Sequence, residues 1–431
     1  MTEWPSLYKL KQHFSGQSVS DIQSETIKAV DVCLQNTRLS PGSRIAITAG
    51  SRGIKNIVQI LQTIVKHLKD RGYSPFLVAA MGSHGRGEAS GQREVLNSLG
   101  ITETAIGTTV SCSDQVIQIG ATEEAYIEGQ ITTASEDLAG LPVYIAKEAY
   151  EADGILVVNR VKPHTSFHGE YESGLLKMMA VGLGRAKGAD MVHSLGAGLL
   201  AQAIPTIAGV ILKHAPILGG IAIVENAFEE TAIIQGIPAN RIFQEEKGLL
   251  KKAKAMMPSL PVQQIDLCLV GEMGKNFSGT GMDTNIIGRL RIQGMPEPKQ
   301  PLIKYLAVLG LSKESHGNAT GIGLADFTTE AVVAQIDKKA TYLNCLTSGF
   351  VCRAFIPMTF PTEQKLLEGA IKALKLKNPE TIRLVYIKNT LHLDELWVSE
   401  PIYRELKNKE NIERIEGPLP LQFDQTGRIK W

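Results

Sequence analysis

The sequence predicts an α/β fold: two α/β domains with mainly parallel sheets and an interdomain cleft. Three observations predict it. Short continuous apolar runs alternate with stretches of helical period. Glycines close the helical stretches. A charged segment that turns proline-punctuated, "EEKGLLKKAKAMMPSLPV" (245–262), divides the 431 residues into two such series. Residues 1–255 are then expected to form one domain and 260–431 a second that closes the cleft. The polar last stretch, 407–431, is read as surface structure whose apolar end packs back weakly on the first domain.

The elements follow in order. "RIAITAG" (44–50) reads as a strand. The helical stretch after it carries Ile57, Ile60, Leu61, Ile64, Val65 and Leu68 at a period near 3.6 and stops at Gly72. "SPFLVAAMG" (74–82) is the next strand and "EASGQREVLNSLG" (88–100) the next helix, the rhythm of a parallel sheet. Strands are expected at 116–120, 141–146, 154–161 and 219–226, short runs suited to a sheet buried on both faces. The apolar run 195–212 is interrupted by Gln202, Pro205 and Thr206, so it reads as a kinked buried helix and not a membrane span. The second series comprises 265–271, 304–312, 327–337 and 381–389.

Composition narrows the function. Hydrophobic content is 43% and charged content 21%, ordinary globular values. A net charge of +1 gives no global field for nucleic acid or an anionic membrane. The five cysteines are scattered without paired ligand spacing, so they read as small buried hydrophobes. The N-terminus lacks a signal-peptide layout, and a cytoplasmic location is expected.

Ligands of open α/β sheets bind where strands end and loops enter helices. Four such loops carry polar chemistry beside small residues. "AGSRGIKN" (49–56) offers Arg52 and Lys55 at a helix start, a plausible anion site, though not a Walker loop. "GSHGRGE" (82–88) offers His84 as a general base, with Arg86 as an anion clamp. "KPHTSFHGE" (162–170) offers His164 and His168, one of them structural. "GEMGKNFSGTGMDTN" (271–285) offers Glu272 and Lys275. Then comes "SGLLKMMAVGLG" (173–184). Lys177 lies among Leu175, Leu176, Met178 and Met179, where it must either snorkel or lose its charge. His193 follows sixteen residues later, with no closed set of protein metal ligands around it.

This ordered set, "SRG", "GSHGRGE", "KPH", "SGLLKMMAVG", His193 and "EMGK", resembles the lactate racemase family, which uses a nickel pincer nucleotide. The resemblance implies that Lys177 carries the cofactor covalently and that His193 ligates nickel. It implies His84 and His164 as acid/bases on opposite faces of a 2-hydroxy acid, with Arg52 and Lys275 positioning the substrate. We add Gly182, Arg185 and Lys187, in "GLGRAKG", as holders of the cofactor phosphate. The implied reaction is racemisation or epimerisation. Removing the α-hydrogen as hydride avoids a carbanion beside a carboxylate, and the cofactor supplies the electron chemistry. Cofactor maturation proteins are the implied partners. Three departures point to a substrate other than lactate: a longer interval from His164 to Lys177, "AGS" before Arg52, and Glu272 in place of Gln. His168 and Glu272 are therefore secondary candidates. Two other readings stay open: an oxidoreductase of hydroxy acids with a free nucleotide, and a ligand-binding homologue without cofactor. Against the first, no GxGxxG follows the first strand.

Overall fold

A computed structural model describes residues 4–35, 37–127 and 130–431. The chain divides into two units, Gly16–Met257 and a second made of Met1–Ser15 with Pro258–Trp431.

The first unit is built on a six-stranded sheet. Its spatial order is Thr231–Pro238, Ile217–Glu225, Gly154–Arg160, Arg44–Ala49, Ser74–Ala79, Val110–Ser111. Only the pair 217–225 with 231–238 is antiparallel. Successive side chains on a strand point to opposite faces, and both faces are buried. Ala46, Ile155 and Val157 pack with Leu175, Ile204, Ile207 and Leu249 on one side. Ile45, Ile47, Leu156 and Val158 pack with Ile60, Leu61, Ile64 and Leu68 on the other. The last four come from the helix Ile57–Asp70, where the 3.6-residue period places them.

The expected strands at 44–50, 74–82, 154–161 and 219–226 are therefore present with small changes at their ends. Those at 116–120 and 141–146 form a separate antiparallel pair outside the main sheet. The apolar run 195–212 contributes the helix Leu200–His214, with Pro205 inside it. No helix of the described residues is long and apolar enough to cross a membrane.

The second unit carries an eight-stranded sheet ordered Met358–Phe360, Phe327–Thr329, Leu302–Val308, Gln264–Val270, Leu384–Ile387, Glu395–Ser399, Ser6–Gln12, Ile412–Pro420. The first five are parallel and the last three run antiparallel. Two domain assignments change here. Residues 1–15 belong with the second unit, because Ser6–Gln12 pairs with both 395–399 and 412–420. The last residues, expected to pack back weakly on the first domain, are integral to the second unit: 412–420 is a strand of its sheet, and Trp431 stacks on Tyr386 at 3.6 Å. Backbone pairing, invisible in a polar sequence, overrides its hydrophilic look. The expected strand 327–337 shortens to 327–329 and continues as a helical turn, Glu330–Val333.

Candidate active site

Three neighbouring parallel strands of the first unit, 154–160, 44–49 and 74–79, end side by side. Their outgoing loops are the ones that carry His164, Arg52 and His84. Sheet order thus does what the sequence left implicit: it makes three distant loops adjacent.

A polar contact joins two of them. Ser51 Oγ hydrogen-bonds His84 Nδ1, linking the loop after 44–49 to the loop after 74–79. Arg52 faces solvent, and the protein around it together with the Arg160 charge lowers its pKa. Lys55 is not available for an anion. Its amide donates to Glu225 at 2.7 Å and its amine pairs with Glu230 at 3.4 Å. The Lys55 end of that loop therefore faces carboxylates. Arg86 is exposed and lies near Glu88 and Glu94.

The loop after 154–160 turns on a residue the sequence reading missed. Glu172 is 1% exposed, and its carboxylate accepts the His164 amide at 2.6 Å and the Lys254 ammonium at 2.6 Å. His168 Nδ1 stands 3.4 Å away. Burial alone would raise the pKa of Glu172; the bonds from His168, Lys254 and the His164 amide overcome it and hold it below the usual range. His164 Nδ1 accepts the Ser166 amide at 3.1 Å, so a neutral ring carries its proton on Nε2. His168 is partly exposed and pairs with the buried Glu172 carboxylate. Glu170 is paired with Lys247.

Lys177 follows on the helical segment 175–183, whose second part is a π-helical turn, Met178–Leu183. Such turns concentrate at functional sites. The segment lies against the loops through Gly182, where a Cβ would stand 2.9 Å from the Ala80 carbonyl oxygen and meet Met178. Gly182 thus serves packing. Phe167 ties Lys177 to His164: its ring stacks on the His164 ring at 4.3 Å, and the Lys177 amine lies 5.9 Å from its centre. Burial lowers the Lys177 pKa to about 7, assisted by Arg52 and Lys162 and opposed by Glu172. A neutral amine in such a site is a nucleophile. His193 ends the helix Arg185–Ser194 with an exposed edge. Its pKa falls by desolvation and by the nearby Lys177 charge.

The proposed phosphate holders fare differently. Arg185 is 1% exposed, ion-paired with Glu148 and bonded to the Gln115 carbonyl at 2.9 Å. It braces the structure and does not clamp an anion. Lys187 is exposed, its amine 4.5 Å from the Tyr144 ring centre.

Lys275 and Glu272 lie in the second unit, after strand 264–270. The Lys275 amine donates to the Gly279 carbonyl at 2.6 Å and to Asn344 Oδ1 at 2.5 Å. Desolvation and Glu314 raise the pKa of Glu272, against Lys388. Of the cysteines, Cys33, Cys268 and Cys345 are buried, Cys112 and Cys352 half-buried, and all five are free.

No group of three or more His, Cys, Asp or Glu side chains among the described residues could hold a metal ion. The cluster offers instead one desolvated amine and one imidazole, Lys177 and His193. That donor set fits a metal-bearing cofactor that brings most of its own ligands.

No family model and no curated protein matches the sequence. Solved structures do. The lactate racemase apoprotein from Thermoanaerobacterium thermosaccharolyticum aligns over 87% of this chain and 92% of its own, with a TM-score of 0.51 and 10% identity. A Thermotoga maritima protein solved by structural genomics aligns over 88% and 98%, with a TM-score of 0.50 and 13% identity. At such identities likeness is a matter of backbone, and in its backbone this chain has the lactate racemase fold.

Proposed function

We propose that the protein is a racemase or epimerase of a 2-hydroxy acid and carries a nickel pincer nucleotide on Lys177. The observation that carries this reading is the Lys177 amine: desolvated, beside two cations, with His193 in electrostatic reach. The lactate racemase fold agrees with it.

In this reading the Lys177 amine, whose pKa burial lowers to about 7, would hold the cofactor covalently, and His193 would hold its metal. The bound cofactor would supply a reversible hydride acceptor. The chain's own residues do the rest. Arg52 attracts the substrate carboxylate. His84, held at Nδ1 by Ser51, and His164, held at Nδ1 by the Ser166 amide, move the hydroxyl proton from separate loops. Glu172 fixes the backbone of His164. Phe167 stands between His164 and the Lys177 amine and stacks on the His164 ring.

The test is intact mass after co-production with the cofactor maturation proteins. A cofactor-sized mass increase in the parent protein, absent from Lys177→Ala, is expected, together with loss of optical purity in a 2-hydroxy acid. A parent protein that stays unmodified where an authentic lactate racemase is loaded overturns the proposal.

A further inference from the structure

The helical segment that carries Lys177 begins at Leu175, and its first amides need acceptors. No capping side chain precedes it: the residue before is Gly174. The acceptor comes from seventy residues further on. Glu246, on the helix Ile242–Met256, accepts the amides of Leu175 at 2.8 Å and Leu176 at 3.1 Å through Oε2. The residue is 1% exposed, and its Oε1 is buried without a hydrogen-bond partner. Burial raises its pKa to about 7, against the pull of the Leu176 and Leu175 amides.

Gly174 is the counterpart. The nearest neighbours of a Cβ placed there would be Oε1, Cδ and Oε2 of Glu246, and Oε1 would collide with it. The backbone of Gly174 is extended, with φ 175°, so conformation does not demand glycine; Glu246 does. On its other side, the Gly174 carbonyl accepts from Asn159 Nδ2 at 2.8 Å, near the end of strand 154–160. Residue 174 is therefore held between strand and helix, three positions before Lys177.

We propose that Glu246 is a positioning residue: with Gly174 and Asn159 it fixes the first turn of the Lys177 segment and so holds the Lys177 amine in its desolvated site. The inference deepens the reading of Lys177 as the attachment point and rests on it for its functional meaning. The charges that act on the amine come from other elements: Arg52, Lys162 and Glu172. If the first turn loosens, the amine leaves these neighbours and regains water.

The experiment is acylation of Lys177 in the protein without cofactor, followed by peptide mass spectrometry across pH 5 to 11. The parent is expected to be half-reactive near pH 7. Glu246→Gln keeps an acceptor oxygen and should hold that midpoint. Glu246→Leu should raise it by about one unit or more. Gly174→Ala should raise it likewise, and in a Glu246→Ala background should add nothing, since the collision is gone. An unchanged midpoint in Glu246→Leu, or a Gly174→Ala effect that persists without the carboxylate, overturns the proposal. If Glu246→Leu does not fold, the Gly174→Ala and Glu246→Ala combination decides. Cofactor loading separates this inference from the proposed function. Moved midpoints with no loading of any protein leave the positioning role standing and sink the cofactor reading. Equal loading and equal midpoints in parent and Glu246→Leu do the reverse.

Discussion

Lys177 and Lys275 are the same residue type, each in a glycine-rich neighbourhood and each drawn from the sequence as a functional lysine. The structure gives them opposite surroundings. The Lys275 amine has two neutral oxygens within 2.6 Å, from Gly279 and Asn344. Lys177 has an aromatic ring, two cations and one carboxylate in its electrostatic field. Hydrogen-bonded oxygens stabilise an ammonium; desolvation beside like charge expels its proton. One lysine thus sits among hydrogen-bond acceptors and the other among like charges.

The largest expected effect tests that contrast directly. Lys177→Arg restores a permanent charge and removes the nucleophile, so cofactor attachment should fall to background. Lys275→Arg keeps a cation and should leave attachment intact while weakening substrate use. Equal effects at both sites would erase the distinction.

Glu172→Gln comes next. It removes the acceptor charge for Lys254 and loosens the His164 amide, at a cost of about 1–3 kcal/mol by denaturant unfolding. Because the folded pKa of Glu172 is depressed, its contribution is present above the unfolded value near 4.5 and is lost as pH falls through the folded value. The gap between parent and variant should therefore close in acid. A constant gap would mean that packing, not charge, supplied the stability.

Asn344→Leu sharpens the other side. Asn344 Oδ1 also accepts from Thr320 and stands near Asn318 Nδ2, so its removal strands several donors. A loss of about 1–3 kcal/mol is expected, read by unfolding of the whole chain. Retained stability would show that Lys275 finds water as readily.

Arg52→Gln should have the smallest effect on stability, and one clear effect on titration. With one cation gone, the Lys177 midpoint rises from about 7, by less than about one unit. The stability sign follows as well. A lysine with a depressed folded pKa makes stability rise with pH between that value and 10.5. Lys177→Met should flatten that slope.

Much of the fold was legible. The period of Ile57 to Leu68 and the apolar runs at 44, 74, 154 and 219 are local signals, and they gave the parallel sheet of the first unit. The edge of the second sheet was not legible. Strand 412–420 is exposed along most of its length and owes its place to pairing with residues 6–12, four hundred positions away. The site was legible as residue types. Arg52, His84, His164, Lys177 and His193 are chemically conspicuous; the first three lie in the expected loops and Lys177 in the expected helical run. Glu172 and Glu246 were not, because an acidic residue in a charged stretch looks like a solvated one. Arg185 erred the other way: a basic residue among glycines looks like an anion clamp until Glu148 is found beside it.

By itself, then, the sequence determined the strand and helix periods, the small residues that let loops turn, and the inventory of reactive side chains. Only the tertiary structure decided their states. It placed three loops side by side by ordering three strands, buried Arg185 against Glu148, and set Glu246 under the first turn of the Lys177 segment. The physical reason is range. Periodicity and turn chemistry act over a few residues, whereas desolvation and charge act through space, between groups that only the folded chain brings together.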